Sequence, residues 1–267
     1  MSEEERIRLG GMALRNGLLV HGPTSWAAAA RSPEGAIRVA SGAKPTFPGP
    51  AARMPVLRGP LRLAEGFAFI PIARQKLPVA RLPFEDLRVV AVALAATAAS
   101  AFLRSGEGRA PAALREALAA GLGLMPALVA LRGSELAAYH GVEHKSIGAY
   151  ERGLDDATEV AKEHERCGSH LVAPMLALSL AGQLLIERLF DEPGRIARGA
   201  AALGGVSGAV EIFIWSEANP EHPLARAFRR PGTEIQRVFA TKEPTSEQME
   251  VGSAALDEIL RVEGVKS

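Results

Sequence analysis

A chain of 267 residues with 31 Lys+Arg against 30 Asp+Glu has almost no net charge and no basic stripe, which excludes nucleic acid as the expected partner. Its length is enough to bury a core without metals or disulfides, and one cysteine, Cys167, excludes an intramolecular disulfide. Apolar residues make up 48% but aromatics only 5%, and Ala, Gly and Leu are gathered into runs, a pattern that raises the question of a membrane.

Met1 to Arg6 shows no charged, apolar and small-residue succession of a signal peptide, so the chain is expected to be made and kept on the cytoplasmic side. Residues 9 to about 43 predict β structure. Asn16-Gly17, set between short apolar runs, predicts a hairpin because both residues tolerate positive φ. A second hairpin is expected from Trp26–Ala30 and Ala36–Ala40 around Ser32-Pro33-Glu34-Gly35. His21, beside Gly22-Pro23, is expected to be a surface or turn residue.

Five prolines between Lys44 and Pro60 predict a linker or an irregular wrap. Arginines and lysines then alternate with Leu61, Leu63, Phe67, Phe69, Ile70 and Ile72, the pattern of a basic amphipathic segment at a membrane surface.

Four weakly polar segments follow: 89–103, 118–131, 170–186, and 199–210 continuing past Glu211 to Trp215. Each is shorter than the roughly 20 residues that cross a hydrocarbon core, though their small residues suit close helix packing. As two helical hairpins they would leave the amino-terminal part, the region around His140 and the carboxy-terminal part on one side. Arg and Lys are denser there than in the connecting loops, so the positive-inside rule makes that side cytoplasmic.

Between the hairpins, residues 132–169 are polar and open on Tyr139-His140-Gly141-Val142-Glu143-His144-Lys145, an H-x-x-E-H pattern. On a helix His140 and His144 lie one turn apart on one face with Glu143 beside them: two imidazoles to hold a metal and a carboxylate free to act as a base. At the far end of the insert, Cys167 is the best third ligand for a divalent ion such as zinc, with His164 and His170 as alternatives. Glu151 falls on the same helical face seven residues past His144, too far to ligate unless Gly148 breaks the helix. Tyr139, Lys145 and Arg166 are candidates to polarise a substrate oxygen.

Asn219-Pro220 and Pro231-Gly232 predict turns, and Thr245-Ser246-Glu247-Gln248 predicts a capping box opening a final helix. Gly10-Gly11 and Gly204-Gly205 lack the context of a phosphate-binding or dinucleotide fingerprint.

The expected fold class is α+β: a small amino-terminal β-hairpin region followed by a mostly helical, membrane-associated bundle of two helical hairpins. The expected divisions are a β-rich region at 1–60, an amphipathic basic segment at 61–88, a helical core at 89–215 with its polar insert at 132–169, and a helical tail at 216–267.

The chain resembles the YqhQ-like family of bacterial proteins, a family of unknown function. The resemblance is carried by Gly10-Gly11, Arg15-Asn16-Gly17, Gly22-Pro23, Pro55-Val56-Leu57-Arg58-Gly59, the segment Tyr139 to Lys145 with Tyr150-Glu151, Arg166-Cys167-Gly168, and Thr241-Lys242-Glu243-Pro244 with Glu247-Gln248. It implies a multi-pass membrane protein, in contact with lipid, and supplies no reaction. The hydrophobic segments here are poorer in Leu, Ile and Phe than spans of that family.

Two functions follow from the residues. One is a membrane-associated metal-dependent hydrolase with metal on His140, His144 and Cys167 and with Glu143 as general base. The other is a non-catalytic scaffold or assembly factor in which the same residues form a closed structural site or polar core. An open coordination position separates them, since a structural zinc takes four protein ligands.

Overall fold

The computed structural model describes residues 6–45, 54–105, 111–190 and 193–265. The fold is α+β. Strands β1 (Gly10–Leu14), β2 (Gly17–His21), β3 (Ser25–Arg31) and β4 (Ile37–Ala43) form an antiparallel meander in chain order. The sheet is covered on both faces, so period-2 alternation sends successive side chains into different cores. Leu18, Val20, Ala27 and Ala29 enter one cluster with Leu136, Tyr139 and Val142 of α5 (Glu135–Arg152) and Val251, Ala255 and Ile259 of α9 (Ser246–Glu263). Leu19, Trp26 and Ala28 face the other way, onto Phe69 and onto Ile70 and Ala73 of α2 (Ile70–Lys76).

Both hairpins form, but the first turn is not built as its sequence suggested. Leu14 pairs with Gly17, leaving Arg15-Asn16 as the turn, and among the described residues no non-glycine has a positive φ. Gly17 serves close approach: a Cβ there would lie 2.0 Å from the Ala29 carbonyl oxygen. Asn16 staples the turn with its amide, donating to the Arg31 and Val79 carbonyls at 2.8 Å each and accepting from the Arg81 N–H at 2.8 Å. The second hairpin closes with Arg31 opposite Ile37, and Gly35 takes the left-handed conformation, φ 88°.

Residues 46–53, within the expected linker, lie outside the described residues. Helix α1 (Pro55–Ala68) starts ahead of residue 61, with Pro55 at a position where its missing N–H costs nothing. Arg58 of α1 pairs with Glu211, Nε to Oε1 at 2.7 Å, and Gly59 lies where a Cβ would meet Val210 at 2.9 Å. This amphipathic helix is thereby fixed against α7 (Arg195–Ala218), and Glu211, the charge that interrupts the fourth apolar segment, has its partner.

The four apolar segments are the cores of α3 (Leu87–Arg104), α4 (Ala112–Leu131), α6 (Val172–Leu189) and α7. α3 packs on α4 and α6 on α7, giving two helical hairpins. The uncharged segments were expected to be too short to cross a bilayer, but the helices run on through the charged residues at their ends. Candidate spans of 18 to 24 residues result, the longest about 36 Å at 1.5 Å per residue. Less than a third of each apolar window is buried, with Leu94 and Phe102 on α3 and Leu185 on α6 all more than half exposed. Among the described residues, four helices long and apolar enough to cross a membrane, with apolar surface turned outward, make the protein membrane-associated.

Helix α8 (Pro223–Ile235) continues into a π-turn at Gln236–Ala240. Residues 241–244 then cross α5 and lead into α9, which opens with the expected capping box between Thr245 and Gln248.

Candidate metal centre

Helix α5 carries the centre. Ser134 caps its start, accepting from the Ala137 N–H, and Gly153, at φ 68°, ends it. The sequence of α5 is nearly as polar as it is apolar, yet Leu136 to Gly148 is buried almost without break, including Glu143, His144, Lys145 and Ser146. A helix wrapped in protein keeps such residues only if they are hydrogen-bonded or serve a site. Gly148 does not break it, so His140 and His144 share one face with ring centroids 4.3 Å apart.

Both imidazoles are oriented from behind. His140 Nδ1 donates to the Ala240 carbonyl at 2.9 Å, a carbonyl at the end of the π-turn that no helical N–H can satisfy. His144 Nδ1 donates to the Lys162 carbonyl at 2.6 Å. With the proton fixed on Nδ1, each Nε2 presents a lone pair to the same space. Backbone anchoring of this kind is the usual outer support of a metal-ligating histidine.

Cys167 closes the group. Its Sγ lies 3.4 Å from His140 Nε2, and the three ligand atoms all lie within 4.8 Å of one another. Burial pushes the Cys167 thiol up to about 11, and burial with the neighbouring His140 holds His144 neutral, its pKa lowered to about 2. Among the described residues, the buried His144 Nε2 has no hydrogen-bond partner. An orphaned lone pair beside a thiol and a second imidazole fits a borderline divalent cation, for which N and S donors are the preferred set. Tetrahedral bonds of about 2.0–2.3 Å require the ligand atoms to draw together by roughly an ångström, within reach of side-chain rotation.

Glu143 is buried beside this group but outside the cluster of ligand atoms. Burial raises its pKa to about 7, against a smaller downward pull from His140. Gly11 of β1 packs directly on it, since a Cβ there would meet the Glu143 carboxyl at 2.8 Å. The significance of Gly10-Gly11 is therefore steric: β1 must approach α5 closely over the carboxylate.

The remaining candidates divide. His164 donates from Nε2 to Glu151 at 3.1 Å and accepts from the Arg166 N–H on Nδ1 at 3.3 Å, so neither nitrogen is free. Glu151 holds His164 and pairs with Arg166, which fixes the loop that bears Cys167. His170 donates from Nδ1 to the Arg229 carbonyl at 2.9 Å, and its Nε2 lies 3.3 Å from the Gln236 amide nitrogen. Arg166 lines the cavity with the three candidate ligands, whereas Tyr139 and Lys145 do not. One residue along a helix is about 100° of rotation, so Tyr139 is turned into the sheet core and Lys145 toward the Thr158 carbonyl and Glu243. His21 is corrected as well: it is partly buried, stacks edge-on against Phe69 at 5.5 Å and lines the same cavity.

Gln236 is the residue that sequence reasoning missed. Fully buried, it accepts from the His164 N–H at 2.7 Å and donates to Ser169 Oγ at 2.8 Å, clamping the loop with Cys167 to the π-turn that supplies the Ala240 carbonyl. π-turns cluster at functional sites, but nothing in the sequence marks this one.

The cavity over the centre has a volume of about 480 Å³ and includes Ala127, Ala130 and Leu131 in the last turns of α4. Residues 134–262, which contain all of α5, the Cys167 loop, the π-turn and nearly all of α9, match the family model described as Protein of unknown function (DUF1385). The expected resemblance to the YqhQ-like family is borne out over this stretch, which is just under half of the chain. Over 137 residues it is 29% identical to Uncharacterized protein YqhQ of Bacillus subtilis (strain 168). That match covers 48% of this chain and 41% of the relative, so it spans less than half the length of the curated protein. No solved structure matches the chain.

Proposed function

We propose that the protein is a multi-pass, metal-dependent hydrolase whose centre is held by His140, His144 and Cys167 at the cytoplasmic face of the membrane. The observation that carries this reading is the pair of Nδ1–H groups tied to the Ala240 and Lys162 carbonyls, which leaves two Nε2 lone pairs and the Cys167 sulfur converging in a cavity. A divalent ion there, zinc by its donor set, would supply a Lewis acid that makes water acidic near neutrality. Glu143, which lines the same cavity and whose carboxyl burial raises to a pKa of about 7, would take that proton. Arg166, held by Glu151, would face a developing oxyanion.

Three protein ligands favour an open centre over the closed site of a scaffold. Among the described residues the ligand group is His140, His144 and Cys167, and the nitrogens of His164 and His170 are engaged elsewhere. The cytoplasmic side is supported by the excess of Arg and Lys on the side of the open ends of the two hairpins.

Metal analysis of purified protein tests the centre. Wild type and Glu143→Gln should hold about one equivalent, and His140→Ala almost none, because the amide keeps the shape of the carboxylate but cannot take a proton. In a deletion strain Glu143→Gln should fail to complement. Complementation by Glu143→Gln, with failure by His140→Ala, would refute catalysis and leave a structural metal.

A further inference from the structure

Beside the metal cavity, and sharing Pro83, Ala130 and Leu136 with it, lies a second pocket of about 420 Å³. Four arginines line it: Arg15 from the first hairpin turn, Arg81 from the segment before α3, Arg88 in the first turn of α3, and Arg132 at the end of α4. They face two carboxylates, and both are engaged. Asp86 pairs with Arg15 at 3.2 Å and caps α3, while Glu135 accepts from the Gln248 amide at 2.5 Å. Among the described residues, Arg81, Arg88 and Arg132 make no ion pair.

Three guanidiniums outside any ion pair, in a pocket whose four arginines outnumber its carboxylates by two, fit a group with several oxyanion oxygens. Guanidinium forks match phosphate in geometry as well as in charge. Their position selects the source. Arg88 and Arg132 sit at adjacent ends of two candidate membrane spans, with Val89 and Val129 in the wall, so the pocket lies where the headgroup layer meets the apolar core.

We propose that this pocket binds the phosphate of an anionic phospholipid headgroup, whose acyl chains lie along α3 and α4. The proposal rests on reading α3 and α4 as spans and is independent of the metal. Pro83, Ala130 and Leu136 form the wall common to this pocket and the cavity that Glu143 and Arg166 line.

The test uses the full chain in mild detergent, titrated with short-chain phosphatidylglycerol, short-chain phosphatidylcholine and inorganic phosphate, and read by thermal shift and native mass spectrometry. Phosphatidylglycerol should raise the melting temperature and remain bound, and the other two should not. The double variant Arg81→Gln/Arg132→Gln should weaken phosphatidylglycerol about a hundredfold, since each charge-assisted contact is worth about tenfold or more. Arg38→Gln/Arg230→Gln, which removes the same charge from exposed positions elsewhere, should leave it unchanged. Equal loss in the two double variants, or equal response to phosphatidylcholine, would overturn the proposal. Competition by inorganic phosphate at matching concentration would also overturn it, in favour of a soluble phosphate ester. An unaltered circular dichroism spectrum and metal content in Arg81→Gln/Arg132→Gln separates loss of this pocket from misfolding. Release of the wild type from membranes by alkaline carbonate would instead remove the span reading beneath it.

Discussion

Gly141, inside the H-x-x-E-H segment, offers the sharpest test of how the centre is held. It lies in the middle of α5, where replacement by alanine ordinarily stabilises a helix by about 1 kcal/mol. Here the ideal Cβ would sit 2.3 Å from the Lys242 carbonyl oxygen, about an ångström inside ordinary contact. The obstruction is backbone, tied to the same helix by the Lys242 N–H donating to Ala137 O at 2.9 Å, so it cannot rotate away. Overpacking of this kind costs about 1–3 kcal/mol, and the backbone obstruction puts this case at the upper end. After the propensity gain, Gly141→Ala should be about 1–2 kcal/mol less stable than wild type. Displacing residues 241–244 also moves the Ala240 carbonyl off His140 Nδ1, and loss of such an outer partner weakens metal binding about 10- to 100-fold. Thermal unfolding in detergent, with zinc titration, reads both effects. Gly66→Ala in α1, where no described residue lies within 4 Å of the added methyl, is the control and should be more stable by about 0.5–1 kcal/mol. Gly141→Ala melting at or above wild type would refute the contact between residues 241–244 and α5.

Asn16→Ala removes three hydrogen bonds that staple the first hairpin to β3 and to residues 79–81, and should cost about 1–3 kcal/mol in the same assay. His21 has its pKa lowered to about 4, chiefly by burial and then by Lys44. The unfolded chain therefore takes up its proton at a pH where the folded chain does not, and stability present above about pH 6.5 falls as pH drops toward 4. The loss should approach about 3 kcal/mol, and His21→Leu should flatten that part of the profile. The wild type should stay with membranes through high salt and alkaline carbonate, given four outward-facing apolar helices.

Local patterns announced the fold well. The two hairpins, the four apolar segments and the capping box at Thr245 are short-range signals, each decided by residues within a few positions of one another. What misled was reasoning that assumed one mechanism per signal. Asn16-Gly17 marks the hairpin, yet Gly17 is needed for the approach of Ala29 and Asn16 for its side-chain amide, neither of which a φ argument contains. The apolar segments looked short because charges were taken as helix ends. Arg104 instead forms the last residue of α3 and Glu116 lies inside α4, and the two pair with each other at 3.1 Å, so both charges are carried within the helices.

The centre was legible to the extent that its candidate ligands are side chains and their supports are not. His140, Glu143 and His144 stand out by spacing, and Cys167 by being the sole cysteine. The groups that orient them are the carbonyls of Ala240 and Lys162, which any residue would supply, so those positions leave no trace in composition. The glycines are the indirect trace. Gly11 admits the Glu143 carboxylate and Gly141 admits the Lys242 carbonyl, and at each a methyl group would collide with what positions the site. A glycine at mid-helix with no turn to make, one residue after a candidate ligand, is a sign that another part of the backbone passes there. That backbone would be the place to look for the hydrogen bond that fixes the imidazole. Tyr139-His140-Gly141 thus encodes not only a candidate ligand but the crossing of residues 241–244, a hundred residues away in sequence, that holds its ring in place.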